Sequence, residues 1–550
     1  MALRRTPFAW PGGWTLACLL VAALVLLPVF RVLGSLFLGF DEAWSHLVET
    51  RLTGYVVSTA LLALSTGVIA AVSGVGTAWL VTMCRFPGRA VFRWALLLPL
   101  AVPAWLAAYA WTDLLQFAGP VRSWLRVTPG LAPLDGFFPE VRSLGGAAVV
   151  LGFGLGPYVF LAARTAFQGQ SGVAMELSRT LGHGPWGGFF RVALPMARPG
   201  IAAGLVLVLM ETLADFGVAD YFAVDTFATG VYRAWKSLES PDAAAQLSAV
   251  LLGAVAVLIF AEALARRRAR HHAPTQRQAP LRPFRLGPTA AAGAFLACAL
   301  PVAVGFLGPA LLFAHMAWTT GDGRSREVLL THAPRTLGLA AGAALLAVTL
   351  ALVVSLGDRL RGSALTGAAR RVAGFGYALP GTVIAVGLLG PLAWADHAVH
   401  RWSVRLFDTP TGLLLTGGVA AVAIGYQVRF LGVALAMIDG GLGRVRRSVD
   451  DAARSLGAGG WRLTLTVLVP LLRAPLLAAL LLVFVDVVKE LPVTLMLRPF
   501  DFDTLAVRVY QLAGDERLEE ASSAALAIIA LGLLPVVVLS ALLTRKEERT

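Results

Sequence analysis

Two pairs of acidic residues lie inside long apolar runs of this 550-residue sequence. The segment METLADFG carries Glu211 and Asp215, and VDVVKELP carries Asp486 and Glu490, each 275 residues after its counterpart. A four-residue spacing predicts that both carboxylates of a pair share one helix face, about 6 Å apart along its axis. A carboxylate at membrane depth normally faces a cavity or a partner, because burying it there costs roughly 3 kcal/mol or more. Since carboxylate oxygens suit hard cations, the four acids are candidate lining residues of a path for a cationic solute.

A structural role for the same acids is the alternative. A buried polar cluster that holds helices together needs the same residue types. Lys489 can neutralise Asp486 or Glu490, and Thr212 can hydrogen-bond locally. The residues alone leave both interpretations open.

The composition places the chain among the polytopic all-α membrane proteins. It is 57% hydrophobic and only 14% charged, with a mean hydropathy of +0.74, too little charge to coat a soluble protein of this length. The net charge of +14 comes from clusters of basic residues between apolar runs. Cytoplasmic loops of membrane proteins show this bias, so membrane lipid is the expected surrounding and no nucleic-acid partner is expected.

About twelve apolar runs are long enough to cross a bilayer as helices. The predicted spans are 14–33, 55–83, 93–115, 144–168, 200–222, 243–265, 288–313, 335–356, 372–395, 412–436, 474–497 and 520–543. The first run is interpreted as a retained span, because no small-residue cleavage site follows it.

The spans fall into two homologous halves of six helices. The first half is predicted at 1–265 with its core at about 51–265, and the second at 288–550 with its core at about 333–543. Between them, 266–287 reads as a basic, Pro-containing cytoplasmic linker. With both termini inside, the inner segments carry about twice as many Lys and Arg residues as the outer ones, which predicts cytoplasmic termini.

A twenty-residue segment occurs twice, once between the fourth and fifth span of each half. ELSRTLGHGPWGGFFRVALP occupies 176–195 and DAARSLGAGGWRLTLTVLVP occupies 451–470, again 275 residues later. An acid in the first turn and a terminal glycine predict a short helix, and a second short helix then leads to a proline at the next span. The matched positions are Glu176 and Asp451, Arg179 and Arg454, Gly182 and Gly457, and Pro195 and Pro470.

Both segments resemble the EAA loop of binding-protein-dependent ABC transporter permeases, with its pattern E-A-A-x-x-x-G-x9-I-x-L-P. The second copy matches at Asp451, Ala452, Ala453, Gly457 and Pro470. The first copy has leucine and serine where the two alanines belong, and keeps Glu176, Gly182 and Pro195.

The resemblance implies that each loop, including Arg179 and Arg454, couples the chain to a separate ATP-binding subunit. That subunit is expected as a homodimer, with a periplasmic substrate-binding protein as second partner and the bacterial inner membrane as location. The chain itself is not expected to be an enzyme. Its only lysines, Lys236, Lys489 and Lys546, follow Trp, Val and Arg, so none completes the Gly-Lys-Ser/Thr of a P-loop.

The fifth-span regions add a resemblance to a narrower group. ETLADFGVADYFAVDTFATGVYRAW (211–235) and KELPVTLMLRPFDFDTLAVRVYQLA (489–513) are similar to iron(III)-type permeases with both halves fused in one chain. Fused permeases for thiamine are an alternative within the same architecture. A twelve-span ion-coupled secondary transporter is a further alternative, although such a carrier needs no duplicated cytoplasmic loop. The eight histidines show no zinc-type spacing inside a span, and no resident metal or cofactor is predicted.

Overall fold

The structure, a computed structural model, describes residues 12–170, 176–178, 180–182, 184–269, 283–319 and 323–547. Nearly all of the described secondary structure is helical. The helices before the linker are α1 (Gly13–Gly34), α2 (Glu42–Thr50), α3 (Leu52–Met83), α4 (Arg89–Ala95), α5 (Ala104–Leu115), α6 (Pro120–Val127), α7 (Ala132–Asp135), α8 (Leu144–Gln168), α9 (Pro185–Gly188), α10 (Leu194–Ala214), α11 (Gly217–Tyr221), α12 (Phe227–Lys236) and α13 (Pro241–Ala269).

The second part of the chain continues in the same way. Its helices are α14 (Pro288–Val302), α15 (Gly308–Thr319), α16 (Gly323–Arg361), α17 (Ala364–Gly374), α18 (Gly381–Phe407), α19 (Val419–Leu442), α20 (Arg447–Ser455), α21 (Gly460–Arg462), α22 (Val469–Leu471), α23 (Arg473–Val488), α24 (Pro492–Leu497), α25 (Leu505–Gly514) and α26 (Leu518–Glu547). Short 3-10 turns lie at Ser35–Phe37, Leu98–Ala101 and Phe375–Ala378, and π-helical turns at Phe189–Ala193, Ala303–Leu307 and Leu463–Leu468. Two strands, β1 (Cys84–Arg85) and β2 (Phe284–Arg285), pair in parallel.

The predicted all-α polytopic class is confirmed. Among the described residues, ten helices are long and apolar enough to cross a membrane, and two bent helix pairs raise the number to twelve. The bends measure 92° between Arg89–Ala101 and Ala104–Val127, and 74° between Gly460–Leu471 and Arg473–Val488. The twelve predicted runs each correspond to one of these elements, because in lipid an apolar run of this length satisfies its backbone groups as a helix.

Four predicted spans do not form single helices. The spans predicted at 93–115 and 372–395 cross the 3-10 turns at Leu98–Ala101 and Phe375–Ala378. The spans predicted at 200–222 and 474–497 do not continue as single helices, because α10 ends at Ala214 and α23 ends at Val488. A short helix, α11 or α24, follows each break. At each of these two breaks a membrane acid, Asp215 or Glu490, accepts hydrogen bonds from amides of the short helix.

The chain forms two compact units, and each unit combines segments that are far apart in the sequence. Unit I contains the described part of Met1–Gly39 together with Thr331–Val507, and unit II contains Phe40–Leu330 together with the described part of Arg508–Thr550. Unit I therefore includes α1 from the start of the chain, and unit II includes α14, α15 and α26 from its second part. The boundaries predicted at 265 and 288 describe the sequence repeat and stay a prediction.

In unit II, the core forms where α3, α8 and α10 pack together. Trp79 lies at its centre, with ring centroids 5.7 Å from Phe167 and 5.1 Å from Phe189. Phe284 of β2 lies 6.3 Å from the same indole. These side chains are apolar and mostly buried, so the C-terminal end of the linker is anchored to the core of unit II.

In unit I, α1 packs against α17 and α18. Gly387 of α18 lies against Pro28 of α1, where a Cβ atom on Gly387 would lie 2.6 Å from the Pro28 carbonyl oxygen. Only glycine permits this approach, so the crossing of α1 and α18 depends on it.

Candidate functional site

The second copy of the repeated segment is a helix, a turn and a second helix, as predicted. The turn is made by Gly457, which has φ +80°. The amide of Ala458 donates to the carbonyl of Ala453 (3.0 Å), and the amide of Gly457 donates to that of Arg454 (3.0 Å). These are the two hydrogen bonds of a Schellman C-cap, which ends α20 and leaves the left-handed conformation to glycine.

The first copy shows the same turn where it is described. Gly182 has φ +79°, and the amide of Leu181 donates to the carbonyl of Leu177 (3.1 Å). Ser178 is buried in the position where the second copy has the buried Ala453. Arg179 lies outside the described residues. Pro195 and Pro470 each stand within the first two residues of a helix, where a missing N–H costs little.

Large apolar side chains of both loops are exposed at matching positions. Leu456 is 86% exposed and Trp461 is 68% exposed, and their counterparts Leu181 and Trp186 are 68% and 66% exposed. A π-helical turn follows each pair, at Phe189–Ala193 and at Leu463–Leu468. Both loops therefore expose a leucine and a tryptophan at matched positions, 275 residues apart.

The acid in the first turn of α20 is not the predicted one. Asp451 is mostly exposed and lies 3.9 Å from Arg454, whereas Asp450 lies in the first turn and is buried. The Asp450 carboxylate accepts from Arg359 of α16 through both oxygens, at 2.8 and 3.0 Å. This pair is not predicted from the sequence, because the EAA pattern begins one residue later.

A second group of charges lies beside this pair in unit I. Arg370 of α17 donates to Asp358 (2.9 Å) and to Asp439 (2.7 Å), and Ser355 also donates to Asp439 (2.8 Å). The hydrogen bond with Asp439 raises the pKa of the Arg370 guanidinium above its ordinary value. These side chains border a cavity of about 400 Å³ at the ends of α16, α17 and α19.

Two of the four membrane acids, Asp215 and Glu490, cap the short helices that follow the two helix breaks. Asp215 Oδ2 accepts from the amides of Val218 and Ala219, both at 3.1 Å. Glu490 accepts from the amides of residues 493 and 494, at 2.9 Å on Oε1 and 3.0 Å on Oε2. Each acid thus satisfies amides at the N-terminus of the short helix that follows, α11 or α24.

The prediction that each pair of acids shares one helix face is therefore wrong. Asp215 lies just beyond the end of α10, and Glu490 lies beyond the end of α23. Glu211 remains within α10 and is half-buried. Asp486 remains within α23, and its carboxylate lies 3.4 Å from Lys489 Nζ. Thr212 bonds locally, through its hydroxyl, to the carbonyl of Val208 (2.8 Å).

A polar cavity of about 470 Å³ in unit II was not predicted from the sequence. Tyr510 donates to Asp220 (2.6 Å), and the guanidinium of Arg142 lies 4.6 Å from the ring centre of Tyr221. The lining also includes Arg508, Gln511 and Asp515. Tyr510 and Asp220 lie in the two segments that carry the narrower resemblance, 489–513 and 211–235, but nothing in one sequence places them against each other.

No group of three or more His, Cys, Asp or Glu side chains is arranged to hold a metal ion in the described part of the chain. The membrane acids of each unit serve instead as helix caps, as partners of a lysine or as single carboxylates.

The described residues thus form up to twelve elements long and apolar enough to cross a membrane, with two duplicated loops between them. Residues 323–549 match the family described as the binding-protein-dependent transport system inner membrane component. The chain belongs to this family and is a fused, two-half permease of the ABC type. Relatives of this class are permease components and work with an ATP-binding subunit and a binding protein, so the ion-coupled carrier is set aside.

Several relatives resemble the chain over different lengths. An Fe(3+)-transport system permease protein of Haemophilus influenzae is 24% identical over 543 residues, which is 98% of each chain. A probable molybdenum ABC transporter permease protein of Haloferax volcanii is 30% identical over 46% of this chain and 91% of its own length. A sulfate transport system permease protein of Escherichia coli is 25% identical over 45% of this chain and 90% of its own.

Proposed function

We propose that the chain forms the membrane path of an importer for iron(III), which a periplasmic binding protein delivers and ATP hydrolysis in a separate subunit drives. The observation that carries this proposal is the match with the Fe(3+) permease over 98% of both chains. That relative shares the fused arrangement of two halves, whereas the molybdenum and sulfate permeases correspond to less than half of the chain.

The two duplicated loops are the proposed contacts with the ATP-binding subunit. Each presents an exposed leucine and an exposed tryptophan beside a glycine turn, at Leu181 and Trp186 and at Leu456 and Trp461. Two related loops suit two copies of one partner, which supports a homodimeric ATP-binding subunit. Because the segments on the side of the loops together carry about twice as many Lys and Arg residues as those on the opposite side, we place the loops and both termini in the cytoplasm of a bacterial cell. The helices then lie in the inner membrane and in contact with lipid.

The membrane acids are the proposed polar groups of the path. Glu211 and Asp486 lie within their helices and are partly exposed, so they are better placed to meet a cation than the two capping acids. Asp215 and Glu490 contribute by holding the short helices that follow them. Carboxylate oxygen is a favourable environment for a hard cation during passage.

The test is uptake in vesicles that contain the chain with its ATP-binding subunit, supplied with an iron(III)-loaded binding protein. ATP-dependent accumulation of labelled iron supports the proposal. Molybdate, sulfate and thiamine, each with its own binding protein, form the competing arms. The 30% identity to the molybdenum permease favours an oxyanion as the second candidate, and uptake of molybdate or sulfate without uptake of iron would replace iron as the substrate.

A further inference from the structure

We infer that Arg359 and Asp450 form a clamp that positions the second coupling loop on the membrane helices. The inference rests on the proposed function, because it concerns the loop assigned to the ATP-binding subunit. The two side chains are 9% and 7% exposed, and the guanidinium meets both carboxylate oxygens. A planar guanidinium and a carboxylate joined by two bonds fix orientation as well as distance.

The same guanidinium also closes the end of α19. Its NH1 group donates to the carbonyl of Leu442 (2.9 Å), and its NH2 group donates to that of Val445 (3.0 Å). The carbonyls at a helix C-terminus lack partners within the helix. Arg359 therefore ties three segments together: the end of α16, the end of α19 and the first turn of α20.

The neighbouring charges brace this arrangement. Arg370 of α17 bonds to Asp358 of α16 and to Asp439 of α19. A displacement of α20 by a docked partner is thus passed to α16 and α19 instead of being absorbed by the connection at 443–446. Removing one member of a buried pair leaves the other charge uncompensated, so loss of either side chain should loosen the attachment of α20.

The acidic member of the clamp occurs directly before the second copy of the repeated segment and not before the first. The residue 275 positions before Asp450 is Met175, which carries no charge and lies outside the described residues. An ion pair of this kind cannot form at that position of the first loop. The residue types of the clamp are therefore not repeated at the matched positions of the first loop, where Cys84 and Met175 stand for Arg359 and Asp450.

The first experiment measures the position of the loop without any partner. Hydrogen exchange of the α20 amides is followed in the full chain in lipid nanodiscs, for the native protein, Asp450→Asn, Arg359→Lys and the double exchange Arg359→Asp with Asp450→Arg. We expect exchange in α20 to rise about tenfold in Asp450→Asn and less in Arg359→Lys, because local opening becomes easier when a buried contact is lost. Arg371→Gln is the matched control, since Arg371 is exposed on the same helix as Arg370. Unchanged α20 exchange in both single variants would overturn the clamp.

The second experiment measures coupling in vesicles with the ATP-binding subunit and the binding protein. Asp450→Asn should lower the amount of substrate transported per ATP while the yield of the assembled complex stays the same, and the double exchange should restore part of the ratio. A native transported-to-hydrolysed ratio in Asp450→Asn would overturn the coupling role. If the native chain transports nothing with any of the four substrates, the proposed function fails, while the exchange experiment still decides whether the clamp exists.

Discussion

Asp215 and Glu490 make the same hydrogen bonds at equivalent positions of the two halves. Each carboxylate accepts hydrogen bonds from the backbone amides three and four residues further on. The acids lie at breaks between a spanning helix and a short helix, where amides would otherwise lack partners in an apolar surrounding. The 275-residue repeat therefore preserves a local structure as well as a charge. A carboxylate at membrane depth can be needed by the fold itself.

The two capping acids should differ in their tolerance of amide substitution. Glu490 uses one oxygen for each amide and also accepts from the hydroxyl of Thr494 (2.7 Å), whereas Asp215 uses a single oxygen for both amides. In Glu490→Gln an NH2 group faces donors, so we expect a loss of about 1–3 kcal/mol in the free energy of unfolding. Asp215→Asn can keep its carbonyl oxygen in place and should lose about 1 kcal/mol or less.

Thermal unfolding of the purified chain in detergent compares these two variants. Asp486→Asn is the control for a charge change in the same helix region, since the carboxylate of Asp486 lies beside Lys489 and caps no helix. Equal midpoints for Glu490→Gln and the native chain would show that the cap contributes no stability.

Glu211 gives the sharper test of a polar path. Glu211→Gln keeps the size and hydrogen-bonding capacity of the side chain and removes its charge. We expect uptake of a cationic substrate to fall about tenfold, because a carboxylate at membrane depth then no longer attracts it. Complex formation with the ATP-binding subunit should be unchanged. Uptake and complex yield are measured separately, with the exposed Glu327→Gln as control.

Uptake by Glu211→Gln distinguishes a side chain that lines the path from one that only holds helices together. A glutamine can still bond across helices at roughly 0.6–2 kcal/mol in a membrane. Full uptake by Glu211→Gln would therefore mean that the acid only holds helices together. Glu211→Leu should impair the protein under either interpretation and is not informative.

The turn of the second loop can be tested without steric interference. A Cβ atom added at Gly457 meets no atom within 4 Å, so the only cost of Gly457→Ala is its φ of +80°. We expect a loss of about 1 kcal/mol locally, and reduced stimulation of ATP hydrolysis by the loaded binding protein. Gly457→Pro should abolish stimulation, because proline cannot adopt a positive φ.

Gly460→Ala is the matched control for this loop. It also has nothing within 4 Å, but it lies in α21, where alanine is compatible with the backbone. Stimulation should match the native level. If Gly457→Ala and Gly460→Ala stimulate equally well, the left-handed turn is not required for coupling.

The first loop is expected to respond in the same direction. Gly182 has φ +79° and equally open space around its Cβ position. Gly182→Ala should therefore reduce stimulated ATP hydrolysis, and by less than Gly457→Ala, because the first loop departs further from the EAA pattern. Gly184→Ala, also with nothing within 4 Å, is its control. A normal rate in Gly182→Ala would restrict coupling to the second loop.

The number of spans and the turn of each loop could be predicted from the sequence. Span length follows from the thickness of the bilayer, and a glycine six residues after an acid is a local signal. The helix breaks could also have been found, because Pro492 follows Glu490 by two residues and proline is common at the first position of a helix. Apolar runs conceal such breaks, since composition does not change across them.

The buried pair in unit I could not have been predicted. Arg359 and Asp450 are 91 residues apart, and their contact depends on how the ends of α16 and α20 meet. The contact of Tyr510 with Asp220, 290 residues apart, depends on packing in the same way. One sequence contains no signal for such distant pairs, because each member also reads as an ordinary loop charge or helix residue.

Each compact unit contains helices from both sides of the linker, so the linker joins parts of the same unit as well as the two halves of the sequence. β2, at the end of the linker, pairs with β1, and α14, α15 and α26 belong to unit II, while α1 belongs to unit I. A chain cut within the linker would therefore yield two polypeptides, neither of which holds all the helices of either unit. The exchange resembles a domain swap carried out inside one molecule. Fusion thus keeps the exchanged helices in a fixed one-to-one ratio during synthesis, so that neither half waits for a separately made partner to complete its core.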